Sequence, residues 1–386
     1  MNLTRNYYFY LFFFLTQACS IRFFYNFGIT KEFPLFYYFS YFLISGTIFI
    51  FLLKTNLFIQ IIKSKKILFA TIIIFSLFIF YKYPHSVGTE RDDCYLIILD
   101  NLANFQYPYS KTKLGDPCST GLSTLIFYFP SYFFKNFFSL TSTIYIILFY
   151  IFFKKIFNKE VVNFLVYLQI FNLLYLEEAI AGSDFFLISI SYLGGILLLD
   201  EYFKKENIRY FYLAFIFLFF FYGSRLIFLY LIPFNYLIFR SFYKSKKLEI
   251  FYIFQFFLTL LLILIPLIIN PDEYHPAHLI QKSYGLITFE SSKWIIFLII
   301  SLLLIFYILY KKLNLIKLDL FKSALLSQSF VYMLPLTLII ILTLSSRLIN
   351  DSIKNWEGLS YLILIYPCII FLISNLFKSL DIFKNK

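Results

Sequence analysis

Residues 248–270 read LEIFYIFQFFLTLLLILIPLIIN, twenty-three positions in which Glu249 is the only charged residue. A helix rises 1.5 Å per residue, so a run of roughly 20 apolar residues crosses the hydrocarbon core of a bilayer. Similar runs recur along the chain. They lie near 6–24, 34–53, 66–82, 137–153, 160–177, 184–203, 208–222, 224–240, 248–270, 293–310, 324–345 and 358–377. The composition agrees: 61% of the 386 residues are hydrophobic, only 14% are charged, and mean hydropathy is +0.78. Soluble domains carry roughly 25% charged residues. The expected fold is therefore an all-α polytopic membrane protein with about twelve transmembrane helices, organised as a single transmembrane domain over 1–386. The spans ending near Tyr222 and starting near Ser224 are expected to form a tight helical hairpin.

The N-terminus resembles a signal peptide in having Arg5, an apolar run from Tyr7 to Leu15, and small residues before Cys19. A lipoprotein site needs an aliphatic residue where Thr16 stands, so the segment is read as an uncleaved first span. The 56 Phe and 34 Tyr are not read as a stacking signature.

Charge in the connections alternates. One set, beginning with Arg5 and the Lys54–Lys66 turn and ending with Lys386, holds 22 of the 34 basic residues and seven of the 21 acidic ones. Its net charge is +15; the remaining connections sum to −2, giving the chain total of +13. The positive-inside rule assigns the first set, and both termini, to the cytoplasmic side of an inner (plasma) membrane. The pI near 9.3 is thus a topology signal spread over short loops, not a nucleic-acid surface.

On this topology the unusual polar groups share the outer face. The largest is an island, YPHSVGTERDDCYLIILDNLANFQYPYSKTKLGDPCS, over 83–119. Two outer loops follow from the reading, 83–136 and 271–292. The first continues into an apolar piece, Gly121 to Phe134. It is short and contains Pro130, so it is read as interfacial or re-entrant. Also outside are Glu177, Glu178 and Asp184 in LEEAIAGSD, Arg225 in YGSRL, Asp272, Glu273, His275 and His278 in PDEYHPAH, and Arg347 in SSRLINDSIKNWEG. Ionisable residues are nearly absent at mid-depth in the spans, where a proton-coupled carrier places them. Clustered cations and carboxylates at one membrane face suit a lipid-phosphate substrate. Arg grips phosphate oxygens in a fork, and a carboxylate accepts a hydroxyl proton.

Each feature has a plainer reading. Asp92 and Asp93 fit a catalytic base, a helix N-cap, or a divalent-cation pair. Arg225 fits phosphate binding or a snorkelling anchor. Glu177, Glu178 and Asp184 fit substrate contacts or caps of the following helix. His275 and His278 have a tempting spacing for zinc. Pro271 and Pro276 break the helix that spacing needs, so loop structure is expected. Cys94 and Cys118 bracket the island on the outer side, where disulfides form. A bridge would close about 25 residues and contribute roughly 3 kcal/mol, but spacing alone leaves it open.

The run ERDDCYLIILDNLANFQYPY, then GDP and a Pro-containing apolar helix, resembles the first outer loop of the GT-C superfamily. These are integral-membrane, polyprenyl- or dolichyl-phosphate-sugar-dependent glycosyltransferases, the mannosyltransferases among them. The matching residues are Asp92, Asp93, Tyr95, a helix Leu96–Asn104, then Tyr107, Pro108 and Tyr109. Glu178, Gly182 and Asp184 resemble the family's second outer motif. Arg225 stands where a basic residue opens a later helix, and Arg347, Trp356, Tyr361 and Pro367 resemble its last outer element. FQY replaces the Gly expected before Pro-Tyr, and three spans precede the acidic loop where the family has one.

The resemblance implies transfer of a sugar from a polyprenyl-phosphate donor to a lipid-linked, glycan or protein acceptor. Asp92 or Asp93 would be the base. Arg225, Arg347, Glu178, Asp184, Tyr95 and Tyr109 would contact substrate, with a divalent cation conceivable at the acidic pair. The competing expectations are an O-antigen-type polysaccharide polymerase and a lipid-linked oligosaccharide flippase.

Overall fold

The computed structural model describes residues 17, 20–26, 32–54, 57–82, 90–112, 115, 117–130, 132–133, 138–156, 159–180, 182–229 and 231–277. Most of the expected span 6–24, those at 293–310, 324–345 and 358–377, and Arg347 and His278 lie outside the described residues. In chain order the helices are α1 (Ile21–Asn26), α2 (Pro34–Lys54), α3 (Leu57–Lys63), α4 (Lys65–Lys82) and α5 (Glu90–Ala103). A 3₁₀ helix (Leu122–Thr124) runs into α6 (Leu125–Tyr128). Then come α7 (Phe138–Ile156), α8 (Lys159–Ile170), α9 (Leu173–Ile180), α10 (Phe185–Lys205) and α11 (Ile208–Ser224). A second 3₁₀ helix (Leu226–Phe228) precedes α12 (Leu231–Phe242) and α13 (Lys246–Ile269). Among the described residues the fold is all-helical, with one isolated parallel bridge between Cys118 and Tyr274.

Three described helices are long and apolar enough to cross a membrane: the Pro34–Phe51 part of α2, α10 and α13. α11 and the Thr143–Phe152 part of α7 are apolar but shorter. α13 shows why bilayer, not water, is the matching solvent. Its buried face includes Gln255 and Thr259, while Ile250, Ile253, Phe254, Phe257, Leu261 and Ile268 are exposed. A helix in water does the opposite, burying its apolar stripe. In hydrocarbon, polar groups must be satisfied inside the protein, and the Gln255 side-chain amide donates to the Phe215 carbonyl at 2.8 Å.

Two expected spans take another form. The run 160–177 is two helices, because Asn172 caps a new one. Its side-chain oxygen accepts from the Leu174 and Tyr175 amides at 2.9 and 3.4 Å, supplying two of the donors that a helix start leaves open. The run 224–240 does not begin where α11 ends. Arg225 is extended (φ −149, ψ 141) and a 3₁₀ helix intervenes before α12, so the junction is longer than a tight hairpin.

The chain forms two compact units. In the first (1–87 and 139–186 among the described residues), α4 buries Leu68, Ile72, Phe75 and Ile79, three or four residues apart. That spacing is one helix face. Phe75 stacks on Tyr175 of α9 at 5.6 Å, and Phe24 of α1 meets Tyr41 of α2 at 5.5 Å. The Tyr167 hydroxyl of α8 donates to the Ile61 carbonyl of α3.

The second unit (88–138 and 187–277 among the described residues) is built on α10 to α13. Phe211 and Phe215 of α11 meet Phe251 and Phe254 of α13 in parallel order. α12 runs antiparallel to α13, Tyr236 meeting Tyr252 and Arg240 meeting Glu249. Close approach of α10 and α11 depends on Gly195, where a Cβ would lie 2.5 Å from Leu218 Cγ. Between these helices Tyr192 donates to the Asn235 side-chain oxygen at 2.9 Å, and the Asn235 amide donates to the Tyr222 hydroxyl at 2.8 Å. The order of the helices gathers the basic turns at one end of this unit. There Tyr243 donates to Asp200 at 2.7 Å, and Lys204 pairs with the same carboxylate. The C-terminal ends of α11 and α13 lie at the opposite end, with the island.

Candidate functional site

The described part of the island, with the segment that follows it, is assembled on the ends of α11 and α13. Its helix α5 begins at Glu90, six residues earlier than the expected Leu96. Asp92 and Asp93 therefore lie in the first turn of α5. Acidic side chains are favoured there, because the unpaired N–H groups carry partial positive charge. Neighbours on a helix diverge by about 100°, so the two positions occupy different faces of α5. Asp93 is half-buried. The Asp92 side chain falls outside the described residues.

Among the described residues one bridge closes the island on itself and two contacts tie it to the end of α13 and the loop beyond. Cys94 is disulfide-bonded to Cys118 with their Cα atoms 5.6 Å apart, inside the reach a bridge requires. The next attachment starts at Cys118 itself, whose carbonyl accepts from the His275 amide at 3.0 Å. Lastly, the Tyr107 hydroxyl lies 2.7 Å from the Pro266 carbonyl and 3.2 Å from that of Asn270. Both carbonyls belong to the end of α13; that of Pro266 also accepts from the Asn270 amide at 3.0 Å, so the phenol adds a second donor there.

Behind the attachments is an aromatic cluster. Tyr95 is fully buried and stacks on Tyr128 of α6 at 4.1 Å. Tyr109, also buried, stacks on Tyr274 at 4.1 Å and donates its hydroxyl to the Thr120 carbonyl at 2.9 Å. The two tyrosines expected to touch substrate are thus packed structural rings. Burial raises the phenols of Tyr109 and Tyr274, and Glu273 adds to burial in pushing Tyr107 up to about 12. The positive charge of Arg225 works against burial on Tyr274.

Arg225 is only 7% exposed, and one guanidinium nitrogen donates to the Ser224 carbonyl at 2.9 Å. It is a buried cation within the same unit as the island, not a side chain reaching into solvent. Its position is set by backbone contact, since the Gly121 amide donates to the Ser224 carbonyl at 3.1 Å. A Cβ on Gly121 would lie 1.8 Å from the Gly223 carbonyl oxygen, so that contact requires glycine.

Glu178 and Asp184 belong to the first unit. Glu177 and Glu178 are buried within α9, not at the start of the helix that follows. Gly182 has φ +69, a left-handed conformation that glycine adopts without a Cβ penalty. It lets the Ser183 amide return to the Glu178 carbonyl at 2.8 Å. Asp184 is fully buried just before α10, and the Ser183 hydroxyl oxygen accepts from the Phe185 amide. The glycine of this motif thus has a helix-ending function of its own.

Tyr274 is not singled out by the sequence, since in PDEYHPAH the histidines carry the conspicuous spacing. The informative signal was an aromatic residue between two prolines, a rigid loop with one large side chain to bury. Among the described residues no three His, Cys, Asp or Glu side chains gather as a metal site needs. In comparisons with known proteins, no family model, no curated protein and no solved structure matches this chain.

Proposed function

We propose that this membrane protein is a GT-C-like glycosyltransferase that moves a sugar from a polyprenyl-phosphate donor to a lipid-linked, glycan or protein acceptor. The observation that carries this reading is the tie between the acidic turn and the buried arginine. Asp93 directly precedes Cys94; the Cys94–Cys118 bridge leads to the Tyr274 loop; and Arg225 acts electrostatically on Tyr274. A carboxylate-bearing turn and a guanidinium are thereby fixed on one framework. In the proposed reaction Asp92 or Asp93 takes the proton of the acceptor hydroxyl as that oxygen attacks the anomeric carbon. The sugar–phosphate bond breaks, and the polyprenyl phosphate leaves with its charge held by Arg225, joined by Arg347. A divalent cation at Asp92 and Asp93 would serve the leaving phosphate in the same way.

The test is a transfer assay on the purified full chain, with polyprenyl-phosphate sugars as donors and Asp92→Asn, Asp93→Asn and the double variant. Loss of a general base lowers turnover by about 10²–10⁴-fold, and donor binding should persist. Normal transfer by the double variant would sink the assignment. Retained movement of lipid-linked sugar across the bilayer, without transfer by the wild type, would establish a flippase instead.

A further inference from the structure

The hairpin of α12 and α13 carries a groove at the end of the second unit opposite the island. Its apolar half is a cavity of about 630 Å³ whose walls include Ile232, Ile253, Phe256 and Phe257. It meets a second hollow of about 640 Å³ lined by Lys244, Lys246 and the aliphatic Leu237. Arg240 and Glu249 line both, so the two form one groove, greasy at one end and cationic at the other. The lining charges are three cations against one carboxylate. That carboxylate is already engaged, with Arg240 at 3.6 Å and the Tyr236 hydroxyl at 3.4 Å. Lys244 and Lys246 are exposed and make no ion pair among the described residues.

Ile253 and Phe257 are 58% and 63% exposed, an apolar wall on a helix long enough to cross the bilayer. Acyl chains can therefore lie against this wall without leaving the hydrocarbon. The cationic mouth falls in the 240–247 turn, which the charge pattern assigns to the cytoplasmic side, where anionic headgroups attract basic side chains. We infer that this groove binds an anionic phospholipid, its phosphate between Lys244 and Lys246 and its acyl chains along Ile253, Phe256 and Phe257. A neutral lipid would leave the excess positive charge uncompensated. A soluble phosphate would leave the apolar half empty.

The experiment reconstitutes the full chain in bilayers of mixed phosphatidylglycerol and phosphatidylcholine, extracts it in mild detergent, and counts retained lipids by native mass spectrometry. Wild type should retain phosphatidylglycerol over phosphatidylcholine. The Lys244→Gln/Lys246→Gln variant should lose that preference roughly twenty-five-fold, from about fivefold per cation removed. Glu249→Gln should raise it. Both altered lysines are exposed, so an unchanged gel-filtration profile and helicity should accompany the loss. Equal retention of the two lipids by wild type, or an unaltered preference in the double lysine variant, would overturn the inference. So would displacement of the lipid by soluble glycerol phosphate, which would mark a phosphate site that does not use the groove.

Discussion

Gly121, two residues beyond the island, has no room for a side chain. The Gly223 carbonyl occupies the space its Cβ would need, and both partners are backbone, so neither can rotate away. Gly121→Ala should therefore cost about 1–3 kcal/mol, the usual range for overpacking a tight contact. A fall in the detergent-solubilised melting temperature would register it. Tyr107 makes a different demand. Its phenol is held near 12 by burial and by Glu273, against an ordinary value of 10.0. The folded chain therefore binds that proton more tightly than the unfolded chain does. Stability from this group is complete below pH 10 and declines as pH rises toward 12. Tyr107→Phe should flatten that alkaline decline in a pH series of thermal melts; an identical slope in both proteins would contradict it. Neither property shows in the sequence. Gly121 stands in an unremarkable STGLST context, and Tyr107 is one of 34 tyrosines.

At the scale of elements, hydrophobic runs located helices well but could not subdivide them. The runs at 34–53, 184–203 and 248–270 became α2, α10 and α13 nearly end to end, because uninterrupted apolar sequence has no local alternative to the helix in a membrane. The run 160–177 is divided in the structure because Asn172, over which hydropathy averages, makes capping bonds that start α9 afresh. Asn172→Ala should destabilise the protein by about 1 kcal/mol, measured by thermal melting, whereas Asn172→Asp should retain most of the stability. The helix α5 was placed too far along the chain for a related reason. Its first turn, ERDD, is strongly polar and carries no apolar period, yet carboxylates in a first turn are favoured by the helix dipole.

For the whole molecule, the informative comparison is between the two ends of the second unit. One gathers Lys204, Arg240, Lys244 and Lys246; the other holds the disulfide-tied island, Arg225 and Tyr274. Charge counting anticipated this separation. The number of spans is a wider expectation, and three described helices meet the length and apolarity that crossing requires. The sidedness is open to direct measurement. In a background with Cys19 and Cys368 replaced by Ser, a cysteine at Lys244 should react with a membrane-impermeant maleimide only in inverted vesicles. One at Gln106, an exposed island position, should react only in right-side-out vesicles. Labelling of both from the same side would refute the charge-based orientation.

The membrane environment, the helical class and the alternation of basic and non-basic turns were determined by sequence alone, because each depends on composition averaged over many residues. The GT-C-like motif reading also came from sequence, and the transfer assay is its test. What only the tertiary structure decided depends on contacts between segments far apart in the chain. Cys94 and Cys118 are bridged because the chain folds back between them, with Cys118 held beside Tyr274 and His275. Tyr95 and Tyr109 are buried rings rather than exposed contacts because Tyr128 and Tyr274 close over them. Arg225 is buried because α11 ends against Gly121. Such approaches are set by packing between distant segments, which leaves no period or composition bias in the sequence to read.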